Sequence, residues 1–319
     1  MLRLAGIVVT VALAVAGPGP LTAQAGATVA AAAVTVSRPF ADTSPLNVPV
    51  VGAPAIDPNS AAMIARAARA GLGYANLVEF GIPVYEATSS TPRQSVRCTI
   101  TNWGPCPFGA SPRPIPADAK PSAGSDGAMV VLDRTAGTVD EYWQAAPAGT
   151  GWTTSWGAIN SLSGSGWGGG STGAGASRLA GVVRVAEVQA GAIPHALVVQ
   201  TDTVCASNFR PPALKTDGDS TRSDCIPEGA RLQLDPAINV GAIPGITPGE
   251  VAVARALQVY GAYLIDRAGT SLAVSFEVAP DASGTGPGSV YRSAGFGWDY
   301  YGMPHIPWNR LRVLQAWDR

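Results

Sequence analysis

From about residue 80 onward the apolar positions come in short runs of strand length, divided by Gly, Pro, Asn, Asp and Ser. The run at 128–133 (Ala-Met-Val-Val-Leu-Asp) is almost continuously apolar, as a strand covered on both faces must be. The turn Ala136-Gly137-Thr138 follows it. The segment 139–144 (Val-Asp-Glu-Tyr-Trp-Gln) then reads as its antiparallel partner. A hairpin centred near Gly137 sets position 133 roughly opposite 141 and leaves Asp126 beyond direct contact with Glu141. Further strands are predicted at 82–85, 96–100, 182–188, 196–201, 231–234 and 272–278. The segment 98–120 carries five prolines and reads as loop. The stretch 149–176, dense in Gly, Ser, Thr and Trp, reads as a long loop with two or three short strands at most.

Helical spacing is rarer. Asp57-Pro58-Asn59-Ser60 opens a predicted helix that runs to Ala70 and ends at Gly71 and Gly73. Thr247-Pro248-Gly249-Glu250 is a capping box with proline at the first helical position. Its helix should reach about Tyr260, with Val251, Ala254, Leu257 and Tyr260 inward. A terminal helix is predicted over 309–318, with Leu311, Leu314 and Trp317 on one side. Many short strands with two or three peripheral helices predict an all-β fold, a jelly-roll or concanavalin-like β-sandwich.

The amino terminus has a different pattern. Arg3 precedes the uncharged apolar run from Leu4 to Ala16, Gly17-Pro18-Gly19-Pro20 breaks it, and Ala23-Gln24-Ala25 has the small-x-small form that a signal peptidase cuts. Residues 1–25 therefore read as a signal peptide for the general secretory route, and the protein as secreted and extracellular. The run falls short of the about 20 apolar residues a membrane anchor needs, so no membrane association is expected after cleavage. Residues 26–56 read as an extended leader, partly disordered, with an edge strand near 46–50. Residues 57–319 read as a single β-sandwich domain.

Composition narrows the partners. The formal net charge is −1 and only 13% of residues are charged. There is no basic surplus to attract nucleic acid, and a neutral polar surface suits a glycan ligand. The four cysteines favour the local disulfides Cys98–Cys106 and Cys205–Cys225, because each pair flanks a loop dense in turn residues. Zinc spacing is absent. Asp217-Gly218-Asp219 with Asp224 lacks the full alternation and the distal Glu of a calcium loop. No metal and no cofactor are expected, and a monomer is.

Six segments carry a resemblance: Asp126-Gly-Ala-Met-Val-Val-Leu-Asp133, Glu141-Tyr-Trp143, Gly173-Ala-Gly-Ala-Ser-Arg-Leu-Ala180, Gly191-Ala-Ile-Pro-His-Ala-Leu197, Pro227-Glu-Gly-Ala-Arg-Leu232, and Ala256-Leu-Gln-Val-Tyr-Gly261 with Asp266. Their order and spacing resemble a family of secreted bacterial jelly-roll or lectin-like β-sandwich proteins, over roughly residues 75–319. The resemblance implies the fold and carries no catalytic assignment. Where that family more often has a His shortly after the first Asp, this chain has Gly127 and Ala128.

Three residues are catalytic candidates. His195, fixed between Pro194 and a strand, is a general acid or base near neutral pH. Glu141 is a strand carboxylate, for which Asp133, Asp217 or Asp266 could supply a second carboxyl group. Asp126 lies in the turn Ser125-Asp126-Gly127. Trp143 and Trp167, with Trp152 and Trp156, offer ring faces for sugars. Arg178 and Asp217 complete the substrate-binding set. His305, in a Pro-rich segment, reads as packing. The predicted function is a secreted polysaccharide hydrolase or lyase acting on cell-wall or other glycan. A hydrolase would use Glu141 and a second carboxylate. A lyase would use His195 or Tyr142 as base, with an Arg on the uronate carboxylate. A non-catalytic glycan-binding module is the alternative. An enzyme requires His195 and Glu141 to share a groove with a further acid or arginine; a binding module requires only a tryptophan-lined face.

Overall fold

The computed structural model describes residues 38–315. The expected signal peptide, the first part of the expected leader and the last residues of the expected terminal helix lie outside the described residues. Most of the regular structure is strand, arranged in several sheets with few helices.

The largest sheet has six strands. In spatial order they are Tyr74–Asn76, Ala273–Ser275, Leu197–Thr201, Ala262–Arg267, Arg231–Leu234 and Leu311–Val313. Its pairings are mixed: Leu197–Thr201 runs parallel to Ala262–Arg267 and antiparallel to Ala273–Ser275. A second sheet of four strands orders Trp156–Ser161, Thr138–Trp143, Met129–Asp133 and Val84–Ala87.

Alternation along the strands builds the layers. Leu197 and Val199 face a core shared with helices, whereas Ala196 and Val198 face a second core. That second core also receives Val130, Leu132 and Val139 from the four-stranded sheet, so the two sheets pack on each other through it. Met129, Val131 and Tyr142 point the other way, onto Phe108 and Ile115 of the proline-rich loop. A strand buried on both faces has no polar side, hence the apolar run at 128–133.

Helix α1 is Ser60–Ala67, α2 is Val185–Ala190, α3 is Pro248–Val259 and α4 is Ser289–Ser293. In α3 the Thr247 hydroxyl accepts the Glu250 N–H and Glu250 Oε2 accepts the Thr247 N–H, the reciprocal cap that the sequence announces. Its buried face runs through Val253, Ala254, Ala256 and Leu257, and Val251 is only half-buried.

Several expectations are corrected. The segment 182–188 is not a strand: α2 starts in it, because Glu187 Oε2 accepts the Arg184 N–H and Gly191 closes the far end in the left-handed conformation. The chain at 309–313 forms a 3₁₀ turn, Trp308–Arg310, and then the edge strand Leu311–Val313 instead of a helix. In the hairpin Asp133 pairs with Thr138, so Glu141 stands opposite Val130. The loop is tighter than a centre at Gly137 implies. The described part of the leader forms turns, not an edge strand, and it docks: Phe40 and Leu46 are buried in the inter-sheet core. Both expected disulfides form, Cys98–Cys106 and Cys205–Cys225. Among the described residues no helix is long and apolar enough to cross a membrane.

Candidate functional site

A groove opens along one end of the two sheets. It has two lobes, of about 730 and about 590 Å³. Asp126, Arg178, Asp266 and Arg267 line both, so the lobes meet at a charged waist. Tyr74, Phe80 and Tyr300 line the far part of the larger lobe. Trp103, Trp143 and Trp156 line the smaller one.

The tryptophan wall is built from three elements. Trp143 and Trp156 are paired residues on neighbouring strands of the four-stranded sheet. Trp103 sits in the loop closed by Cys98–Cys106 and is 58% exposed. Its ring lies nearly parallel to that of Trp143, with centroids 6.2 Å apart, and edge-on to Trp156 at 5.7 Å.

Arg178 is held in place before any ligand arrives. Its Nη2 donates to the Ser171 carbonyl at 2.7 Å and its Nε to Ser171 Oγ at 3.2 Å. Its Nη1 lies 3.8 Å from Asp126 Oδ2. The Trp143 indole N–H donates to the other Asp126 oxygen at 3.3 Å. Asp126 keeps 43% of its side chain in solvent, while Arg178 keeps 7%. The waist thus presents an accessible carboxylate beside a nearly buried guanidinium.

Behind the waist, Asp217, Glu228 and Asp266 crowd together, with one oxygen from each lying within 4.8 Å of the others. A β-bulge brings Asp266 there. The parallel register with Leu197–Thr201 shifts by one residue before Asp266, which re-aims its side chain. Asp217 sits inside the Cys205–Cys225 loop and is exposed, and Glu228 ends the strand Ile226–Glu228 and is buried. Backbone N–H groups of Arg267, Gly173 and Asp217 donate to Asp217, Asp266 and Glu228, respectively. A Cβ at Gly173 would stand 2.5 Å from Asp217 Oδ1 and 2.6 Å from Glu228 Oε1, so a side chain there would push these carboxylates aside. Burial first, and then the neighbouring Asp217, push the Glu228 carboxyl up to about 8. Burial raises Asp266 well above the usual carboxylate range, against the pull of Arg178.

Of the residues singled out from sequence, Asp126, Trp143, Trp156, Arg178, Asp217 and Asp266 line this groove. The others do not. His195 is buried, with its Nδ1 on the Ala196 carbonyl at 2.9 Å and its Nε2 2.9 Å from Glu187 Oε1. Glu141 is also buried: its Oε1 accepts from Asn160, and its Oε2 accepts from Ser171 and from the Arg178 N–H. Burial pushes its carboxyl up although these donors oppose the shift. Neither side chain reaches the groove surface, so the expected meeting of His195 and Glu141 does not occur. Tyr142 is stacked on Phe108 and closed off as well. Trp167 packs edge-on against Tyr263 in the core, and Trp152 packs beside the proline-rich loop. Asp133 caps its own turn by accepting the Ala136 N–H. His305 bonds the buried Glu250 of α3.

Glu228 and Arg267 escape a reading from sequence, because only the fold brings the ends of separate strands to one place. The adjacent charges Asp266-Arg267 closing an apolar strand are the one local signal.

No family model matches the chain, and neither the curated proteins nor the solved structures contain a match to it.

Proposed function

We propose that this is a secreted, monomeric, carbohydrate-active protein that binds a polysaccharide along the groove and cleaves it at the waist, as a hydrolase or a lyase. One observation carries the reading: two aromatic-lined lobes join at Asp126 and Arg178, an accessible carboxylate beside a fixed cation. A chain of sugars needs an open groove that continues past the reacting bond on both sides. Tryptophan faces give stacking area at low rotamer cost. In hydrolysis, Asp126 would take a proton from the water that attacks the anomeric carbon, or attack that carbon itself, as the glycosidic C–O bond breaks and the departing oxygen takes a proton from water in the open groove. In elimination, it would take the C5 proton beside a uronate carboxylate whose charge Arg178 offsets, as the C4–C5 double bond forms, the C4–O bond breaks and the departing oxygen takes a proton from water. His195, Glu141 and Tyr142 have no part in either chemistry. The export reading of residues 1–25 and the two disulfides support secretion. The jelly-roll or lectin-like form of the fold is a proposal of the same kind. The strand content favours it, and the parallel pairings weigh against it.

The test is a screen of neutral and uronate-containing polysaccharides, reading new reducing ends and the ultraviolet absorbance of an unsaturated uronate. Cleavage that disappears in Asp126→Asn, with folding retained, supports the reading, and the product separates hydrolase from lyase. Retention on a glycan without cleavage, lost in Trp103→Ala, means the protein is a binding module. That second reading draws on the exposure of Trp103.

A further inference from the structure

Glu228 Oε1 is a buried oxygen without a hydrogen-bond donor. Its neighbours include two acceptors, oxygens of Asp217 and Asp266, and the Thr216 hydroxyl reaches the same carboxyl. Two other buried carboxylates among the described residues are satisfied, and Glu187 Oε1 faces the His195 Nε2 at 2.9 Å. Both oxygens of Asp140 receive Arg113, and both oxygens of Glu141 receive donors. A buried acceptor left without a donor costs about 1–3 kcal/mol, more when charged. Three acceptors turned toward one point are stable only with something positive between them.

We propose that Asp217, Glu228 and Asp266 form a binding site for a hard divalent cation of the calcium type. The donor set is all oxygen, which suits calcium or magnesium and not zinc or copper. The spacing fits calcium. Two oxygens bound to one calcium at about 2.3–2.6 Å lie at most about 5 Å apart, and the three oxygens here lie within 4.8 Å of one another. Calcium takes about 6–8 ligands, so three carboxylates leave positions to fill. Asp217 and Asp266 also line the smaller lobe of the groove, so those positions face the place where a ligand would lie. Water or the oxygens of a bound glycan would complete the shell. The Cys205–Cys225 loop anchors the exposed member, Asp217, and Gly173 leaves the room that a side chain would take. The site differs from the Asp217-Gly218-Asp219 calcium loop discounted from sequence, because its ligands come from three separate segments. It goes beyond the glycan reading and does not depend on it.

The test is calcium titration of the chelator-treated full-length protein, followed by calorimetry and thermal melting, with magnesium and sodium chloride at matched ionic strength as controls. The expected result is saturable binding of one calcium per chain and a melting temperature that rises with calcium and not with sodium. Glu228→Gln should weaken calcium affinity at least tenfold. Asp217→Asn, at an exposed loop position that keeps the fold, should do the same. Absence of saturable calcium binding by the folded wild type overturns the proposal and leaves a proton shared among the three carboxyls. Calcium binding that both variants retain places the ion elsewhere and overturns it equally. Glycan cleavage is read in neither arm, so failure here leaves the polysaccharide reading standing.

Discussion

Glu141 Oε2 accepts the backbone N–H of Arg178 at 2.8 Å. The same oxygen takes the backbone N–H and hydroxyl of Ser171, whose carbonyl and hydroxyl in turn hold the Arg178 guanidinium. A carboxylate placed in sequence as a catalytic candidate is therefore the post on which the 171–178 loop hangs. It acts on the groove through Arg178, so Glu141 is a positioning residue.

Glu141→Gln keeps the shape but puts an amide N–H₂ against donors that need an acceptor. Each buried donor left unpaired costs about 1–3 kcal/mol, so urea unfolding should show a loss of about 1–3 kcal/mol. Glu141→Ala should cost more. Amide exchange at Ser171 and Arg178 should rise in both variants beyond the global change. An unchanged unfolding midpoint would contradict this role.

Asp140, the neighbour of Glu141 on the strand Thr138–Trp143, faces the opposite side. There it takes Arg113 Nε at 2.7 Å and Nη2 at 2.6 Å. Burial outweighs this pairing and pushes the Asp140 carboxyl above its ordinary value. Asp140 in turn raises Arg113; a buried pair of this kind holds little over an apolar pair of similar volume, and breaking one side is what costs. Arg113→Ala should destabilise by about 3–5 kcal/mol. The double variant Arg113→Met with Asp140→Leu should recover most of that in chemical denaturation. A double variant no better than the single one would show the pair to be net stabilising.

The alternation of Asp140 and Glu141 also shows where the sequence is legible and where it stops. The apolar run at 128–133 and the partner at 139–144 are read correctly as a hairpin, because strand periodicity is local. Thr247 to Glu250 is read correctly for the same reason, since a cap involves only its own turn. The cysteine pairs follow from short loops. Whether a polar strand residue meets water is not local. Glu141 and His195 look like surface chemistry until the 165–180 loop and α2 cover them. Asp126, Trp143, Arg178 and Asp217 reach the groove from turns and strand ends, where side chains tend to stay accessible. Asp266 depends on a bulge, and the match between Asp266 and Glu228 depends on the packing of separate segments. Neither has a sequence pattern.

His195 supports a prediction about pH. Burial alone would lower its pKa. The facing Glu187 carboxylate outweighs this by charge and hydrogen bond, as does the Ala196 carbonyl, while Arg184 opposes them. The folded value thus lies above the ordinary value of about 6.5. A group raised on folding contributes its full stability below its unfolded pKa and loses it as pH rises through the folded value. Unfolding free energy should therefore fall as pH climbs above about 6.5. This component of the slope should vanish in His195→Gln. A slope retained in that variant would assign the effect to other groups.

The Cys205–Cys225 bridge closes a loop of 20 residues that carries Asp217. Cross-linking a loop of this size removes chain entropy from the unfolded state, with about 3 kcal/mol expected. Serine replacement of both cysteines should lower stability by about 2–4 kcal/mol, measured by thermal or urea unfolding without reductant. The damage should be uneven. The Arg267 N–H donates to Asp217, and Asp217 donates its own N–H to Glu228, so loosening the loop should raise amide exchange at Asp217 and Arg267. The α3 cap, which makes no contact with this loop in its own hydrogen bonding, should keep its protection. The Cys98–Cys106 bridge offers the control. It closes eight residues around Trp103, so its serine pair should cost less stability while freeing the Trp103 ring. Fluorescence quenching should rise in that variant above the constant contribution of the equally exposed Trp298, and stay unchanged in the Cys205/Cys225 pair. Equal effects of the two pairs on both readouts would mean that neither loop is independently anchored.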